Sequence, residues 1–437
     1  MVDNSHTAWA GGLDSTSAPA RAVEGLGPEQ QEAYDLVQSG KNLFITGAGG
    51  CGKSYLIRRL ITEGTIVAAP TGLAALNVGG TTCHRAFKLP VGLSSNLKPL
   101  NADQAAVLRA AERVIISEVG ALRADYLDMI DGRLKSARKS KAPFGGVQVV
   151  VEGDFYQIEP VVGNAEAEVF KELYTSPFSF DARSWNFDSF ELKEPQRHKN
   201  LEHVALLARL RVGNREALDE LMRLSRPYKL SPDVLHLAYT NADADKINHY
   251  WLRENQNPRR IYHANTEGEI TDSQLSSLPV DVSIPLKVGA RVLLRTNQHG
   301  LYVNGDRGVV ESLHPGSVVV RLLNGNHVCV APFRWVFYQY GMENGTITKK
   351  QVGAITQMPI SLGWAISVHK SQGMTLDSAA VYTGRGAFAH GQFYVACSRV
   401  KDLNQLSFVR PQHINRDREL IIRPEVAAFY EKRVGGR

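Results

Sequence analysis

The sequence predicts an α/β protein built from two parallel-sheet domains, the second carrying a small inserted β-barrel. Three observations point there. Short apolar, β-branched runs at 43–45, 65–69, 114–116 and 147–151 alternate with helical patterns, as the strands of a parallel sheet covered on both faces do. The same alternation restarts after about residue 190, with helical stretches at 202–211 and 215–224, a strand at 235–238 and a helix at 242–253. Between 284 and 340 the texture becomes all-β: runs at 291–294, 308–313, 318–322 and 327–330 are separated by Asn-Gly and Pro-Gly pairs.

Composition sets the outer bounds. With 437 residues the chain has room for about two to four domains and a sizeable core. Hydrophobic residues make up 43% and charged residues 22%, which excludes collagen, coiled coil and disordered classes. The net charge of +6 permits a polyanionic partner without demanding one. Cys51, Cys83, Cys329 and Cys397 form no C-x-x-C pair, so neither a zinc site nor a disulfide framework is expected. No apolar run approaches the ~18 residues of a membrane span. Residues 1–25 read as a disordered leader without the basic and apolar regions of a secretory signal, so an intracellular protein, cytoplasmic or nucleoid-associated, is expected.

From Leu26 the chain becomes ordered in pattern: a short polar helix, the strand Leu43-Phe44-Ile45, a Gly-rich turn and a helix at 53–61. The turn, Gly47-Ala48-Gly49-Gly50-Cys51-Gly52-Lys53-Ser54, fits G-x-x-x-x-G-K-[ST] in the strand-to-helix context that motif requires. Its glycines let backbone N–H groups close around a β-phosphate, Lys53 reaches β/γ oxygens and Ser54 ligates Mg²⁺. A nucleoside triphosphate with Mg²⁺ is the expected ligand, ATP among the possibilities, and the loop alone does not separate kinase, GTPase, transporter ATPase or motor. Cys51, at a variable position, needs no redox role.

The remaining catalytic parts follow in order. Val114-Ile115-Ile116-Ser117-Glu118 is a strand ending in an acid, where P-loop enzymes keep their metal-binding and water-polarising carboxylates. Glu118 is the expected water-polarising group and a metal ligand. Ser117 offers a hydroxyl where most ATPases of this layout carry Asp, which predicts weaker Mg²⁺ binding. In the next segment, 145–160, Gln157 is placed to sense a γ-phosphate, while Asp154 is either catalytic or a turn-forming cap. The Pro-, Gly- and Ser-broken stretch 88–100 is an excursion from the sheet.

These motifs, in this order, resemble the superfamily 1B 5′-to-3′ DNA helicases of the petite-integration-frequency type, kin to RecD and Dda. The resemblance runs from about Leu26 to Leu406. Leu26 to Gln30 resembles the adenine-reading segment, with Gln30 as the contact. Pro70-Thr71-Gly72 and the run Gly80 to Phe87 resemble segments that touch single-stranded DNA. Leu127 to Leu134 is similar to the signature that sets this family apart. The segment Glu191 to Arg197 is similar to one ending in a phosphate-sensing arginine, although His198 stands where Gln is usual. Val303 to Gly308 resembles the entrance to an SH3-like barrel, and Trp364 to Thr375, with Gly373, and Tyr394 to Arg399 match the last two motifs. Ser117 is the main departure.

The resemblance implies two RecA-like domains, with a small wedge insertion and an inserted SH3-like β-barrel. The boundaries it suggests are 26–189 for the first domain with its wedge at about 88–100, 190–283 and 341–412 for the second, 284–340 for the barrel, and 413–437 for a peripheral tail. It also implies a monomer that hydrolyses ATP, moves toward the 3′ end of single-stranded DNA and opens forks, in replication, repair or recombination. Arg197 and Arg399 would meet the γ-phosphate from the second domain, making the nucleotide site a cleft that closes with ATP state.

Single-strand binders combine cationic grooves with flat side chains against which bases stack. The candidates are Pro70, Thr71, His84 and Phe87 in the first domain, and His369 and Lys370 following an apolar helix at 364–368 in the second. The basic run Arg133, Lys135, Arg138, Lys139 and Lys141 reads as a solvated face. Two alternatives stand beside the helicase: a nucleotide-dependent single-stranded DNA-binding protein with an ATPase impaired by Ser117, and a P-loop phosphotransferase acting on a small molecule. The set Gln157, Arg197 and Arg399 argues against the second.

Overall fold

The computed structural model describes residues 25–93, 97–196, 200–276, 278–343 and 346–434. Six strands, β1 (Leu43–Gly47), β2 (Thr65–Ala69), β3 (Thr81–Thr82), β4 (Arg113–Ile116), β5 (Gln148–Glu152) and β6 (Asp188–Leu192), form a parallel sheet in the order β3-β2-β4-β5-β1-β6. Successive side chains leave opposite faces. Phe44, Ile116 and Val151 pack in one core with the helix Ala124–Arg138, while Leu43, Ile45 and Val150 pack with the helices Pro28–Gln38 and Lys53–Leu60. Both faces being dry explains why these strands read as continuous apolar runs.

The second parallel sheet orders Ala365–Ser367, His236–Ala238, Ala379–Tyr382 and Leu406–Phe408. The apolar helix expected at 364–368 is therefore a strand. A run this short carries no period that separates buried strand from buried helix.

Between these parallel strands the chain builds antiparallel sheets. One has the order His327–Val330, Ser317–Leu322, Arg307–His314, Arg291–Leu294, Ile360–Leu362. A long hairpin, Phe333–Glu343 with Thr346–Gln357, pairs with Asn265–Gly268. The run 355–360 ends this hairpin and enters the antiparallel sheet.

The hairpin reaches back to the first sheet. Tyr340 Oη accepts from Val67 N at 2.9 Å and donates to Val67 O at 3.3 Å, and Lys349 Nζ donates to Gly79 O. Tyr340→Phe is expected to cost about 1 kcal/mol, read as a lower urea midpoint at unchanged slope.

The C-terminal stretch is not peripheral. On the helix Pro424–Arg433, Val426 and Tyr430 are buried in the first domain's core, and Tyr430 Oη lies 2.7 Å from Thr46 Oγ1. Its charged residues masked the apolar stripe. Among the described residues no helix is long and apolar enough to cross a membrane.

Candidate nucleotide and nucleic-acid sites

The C-terminal ends of parallel strands, where ligands of open α/β sheets bind, carry the candidate site. The turn after β1 needs glycine at two points. Gly47 has φ +140° and a Cβ there would lie 2.3 Å from Leu192 O, while Gly52, at φ +85°, would place one 2.4 Å from Gln30 Nε2. Lys53 is buried, and its ammonium donates to Gly47 O at 2.8 Å and Ala48 O at 3.1 Å. Burial works against its charge, but Cys51, Glu152, Asp154 and Glu118 outweigh that and raise its pKa.

Glu118 follows β4 with φ +55° and ψ +43°, a left-handed conformation uncommon for a non-glycine and held by its surroundings. Burial, then the neighbouring Glu152, push its pKa up, against Lys53 and Arg399. Ser117 Oγ donates to Glu152 Oε2 at 2.8 Å.

The opposite wall comes from the second domain. Gly49 N donates to Tyr394 Oη at 3.1 Å, and a Cβ on Gly49 would lie 3.4 Å from Arg399 Nη2. Arg399 is buried, with Nε donating to Val395 O at 2.8 Å and Nη2 to Ser398 Oγ at 2.7 Å. The two walls enclose a cavity of about 300 Å³ lined by Gly49, Gly50, Gly52, Lys53, Ser54, Tyr55, Glu118, Glu152, Gln157, Gln196, Gly373 and Arg399.

Most nucleotide-site candidates thus converge. Gly47, Cys51 and Gln30 support the loop from outside the lining: burial raises the Cys51 thiol pKa, and Gln30 Nε2 donates to Gly52 O at 3.2 Å. Arg197 lies outside the described residues, as does His198; the adjacent Gln196 N donates to Gly50 O at 2.8 Å. Glu152, Tyr55 and Gln196 were missed. Glu152 had a signal, since it ends its strand level with Ser117. Asp154 takes neither expected role alone. It caps Tyr156 N at 3.1 Å and forms a buried ion pair with Arg211 at 2.7 Å.

The donor set fits Mg²⁺. That ion uses one or two carboxylates, phosphate oxygens and its own waters rather than a protein cage, and the Ser54 hydroxyl with the Glu118 and Glu152 carboxylates lines the cavity.

The nucleic-acid candidates divide. Phe87 is wholly buried in the first domain's core, so the expected stacking role fails: its five-residue helix turns the ring inward. Thr71 is exposed and caps the helix Gly72–Asn77 through Ala74 N. Pro70 is partly exposed beside it. His84 sits edge-on to Tyr126 with ring centroids 4.6 Å apart, and burial, then Arg123, lower its pKa. His369 is exposed and Lys370 partly so. A Cβ on Gly373 would lie 3.7 Å from Asn77 Nδ2, which sets the loop after Lys370 against the helix that Thr71 caps.

The basic run is not uniformly solvated. Arg133 is buried and its guanidinium donates to the carbonyls of Lys88 and Lys98, tying both arms of the 88–100 excursion to the helix Ala124–Arg138. Arg138 bonds Gly145 O at 3.0 Å. In the excursion Leu89 is buried and Val91 is 92% exposed.

A P-loop facing an arginine across two parallel-sheet lobes defines a nucleotide-binding protein of two RecA-like domains. The chain belongs to the PIF1-like helicase family, whose model matches residues 25–203. It is 34% identical over 425 residues to the ATP-dependent DNA helicase PIF1 of Danio rerio, covering 91% of this chain and 63% of that protein. The chain spans less than two thirds of the length of the vertebrate relatives it matches. Pif1 from Bacteroides sp. in complex with ADP-AlF4 superposes with a TM-score of 0.84 at 32% identity, covering 94% of this chain and 98% of that one. The Bacteroides Pif1 bound to ssDNA gives 0.66 at 33% identity, covering 94% and 97%.

Proposed function

We propose that the chain is an ATP-dependent DNA helicase that moves 5′ to 3′ along single-stranded DNA and unwinds duplex at forks. One observation carries it: groups from both lobes line a single cleft, Lys53, Ser54, Glu118 and Gln157 on one side, Gly373 and Arg399 on the other. A ligand touching both walls ties its own chemical state to their separation. The relatives' names supply the nucleic-acid part and the direction of travel is inherited from the family.

In this reading the P-loop N–H groups hold the β-phosphate, Lys53 leaves its two carbonyls for phosphate oxygens, and Glu118 polarises the attacking water. Gln157 orients that water or senses the γ-phosphate, and Arg399, with Arg197, meets charge developing on the transferred group. Ser54 and Glu118 would hold Mg²⁺, which when bound would neutralise part of that charge. Loss of the γ-phosphate removes the ligand common to Lys53 and Arg399, and the lobes part.

The DNA track is Pro70, Thr71 and His84 on one lobe and His369 and Lys370 on the other. We take the domain limits as 26–189, 190–283 with 341–412, and 284–340, the antiparallel insertion being SH3-like, and the working form as a monomer. The exposed tip at Val91, clamped at its base by Arg133, would be the strand-separating wedge. Arg133→Met is expected to lower fork unwinding while single-strand-stimulated ATPase stays near the parent's; equal loss of both rejects the wedge. Strand displacement on 5′- and 3′-tailed duplexes tests the whole reading, and opening only of the 3′-tailed substrate would overturn its direction.

A further inference from the structure

Glu152 is a buried carboxylate at the catalytic edge that the motifs do not account for. Its strand, β5, lies between the P-loop strand β1 and β4. Ile45 pairs with Glu152 and Ile116 with Val151, so Ser117 and Glu152 leave neighbouring strands side by side. Glu152 is 1% exposed, and its Oε2 accepts from Ser117 Oγ at 2.8 Å and from Glu118 N at 3.4 Å. No donor among the described residues bonds Oε1, and Glu152 lines the cavity with Ser54 and Glu118.

A buried carboxylate, Glu152, beside a second, half-buried one, Glu118, is costly unless a cation balances them. Asp154 already has Arg211. Lys53 and Arg399 face the pair, but both are the groups that turn to phosphate once a nucleotide is bound. The balancing charge then has to arrive with the nucleotide, as a divalent ion does.

We propose that Glu152 holds the hydration shell of the nucleotide's Mg²⁺ in this chain, the task of an aspartate at position 117, and that Ser117 orients it by hydrogen bonding. The carboxylate has moved one strand sideways, about 4.8 Å, and the longer glutamate side chain makes up part of that step. Ser117 is thus half of a relocated site and not a lesion. This rests on the nucleotide-site reading above and assigns its metal contact.

Mn²⁺ serves as the spectroscopic probe, its binding to the protein–ADP complex followed by electron paramagnetic resonance, with metal-free mant-ADP fluorescence measured beside it. Glu152→Gln is expected to weaken Mn²⁺ binding about tenfold or more while mant-ADP binds as tightly as to the parent or tighter. Ser117→Asp should restore Mn²⁺ binding in the Glu152→Gln background and give no gain alone, where it adds a third acidic group. Parental Mn²⁺ affinity in Glu152→Gln overturns the assignment, and so does a tenfold gain from Ser117→Asp alone, which would mean the parent lacks its metal carboxylate. If Glu152→Gln loses its thermal unfolding transition, Ser117→Asp decides alone. A parent that binds no mant-ADP sinks the nucleotide site and this assignment with it, whereas normal mant-ADP binding with Mn²⁺ affinity indifferent to Glu152 sinks the assignment only.

Discussion

Replacing Arg399 with alanine is expected to lower DNA-stimulated ATP turnover by about 10³-fold or more, the range of a lost arginine finger, with little change in ADP affinity. The guanidinium is held by Val395 O and Ser398 Oγ beside Gly49, so its position is set before a nucleotide arrives. A donor fixed in place needs no reorganisation when charge develops. ADP lacks the γ-phosphate, which is why its binding should be spared. Arg399→Lys should recover little, because a lysine cannot present a planar fork to both Ser398 and a phosphate oxygen. Single-turnover phosphate release is the measurement, and near-parental turnover in Arg399→Ala would show that the two lobes do not cooperate in hydrolysis.

The parts of this site that were legible in the sequence are those whose chemistry forces a local pattern. Lys53 and Ser54 follow glycines that the turn after β1 requires sterically, and Glu118 ends an apolar strand. Glu152 closes an apolar strand as Glu118 follows one, but its link to Ser117 comes from the β4–β5 register, a pairing between residues 35 positions apart. Phe87 failed for a related reason, since one turn of helix does not say which side faces the core. Arg133 looked like surface charge, and only the folded position of the 88–100 excursion gives it two carbonyls to bind. The run at 364–368 was apolar enough for either secondary structure, and its sheet partner at 236–238 decided the outcome.

Asp154 carries the second large expectation, one of stability. Arg211 ends the helix Leu201–Arg211, whose Leu206, Leu207 and Leu210 pack in the second domain's core, while Asp154 follows β5 two residues after Glu152. Arg211 Nη2 meets Asp154 Oδ1 at 2.7 Å, Nε lies 3.2 Å from each carboxylate oxygen, and the guanidinium lies against the rings of Tyr156 and Tyr430 at 4.6 and 5.1 Å. Burial would raise the Asp154 pKa, yet Arg211 outweighs it and the net shift is downward. The depressed carboxylate therefore contributes stability above its unfolded pKa of about 3.9, and that contribution disappears as acid takes the pH down through the lower folded value. Removing one partner leaves the other charge buried: Asp154→Leu or Arg211→Met should each cost about 3–5 kcal/mol in urea unfolding, while the double variant should lie closer to the parent. The pair joins the two lobes immediately behind the nucleotide cleft. Either single change should therefore also broaden the unfolding transition or split it into two, because the lobes lose their buried ion pair and keep neutral or exposed hydrogen bonds such as Gly49 N to Tyr394 Oη. A single variant within about 1 kcal/mol of the parent, inside the range of a solvent-exposed pair, would mean that this ion pair is not what couples the lobes.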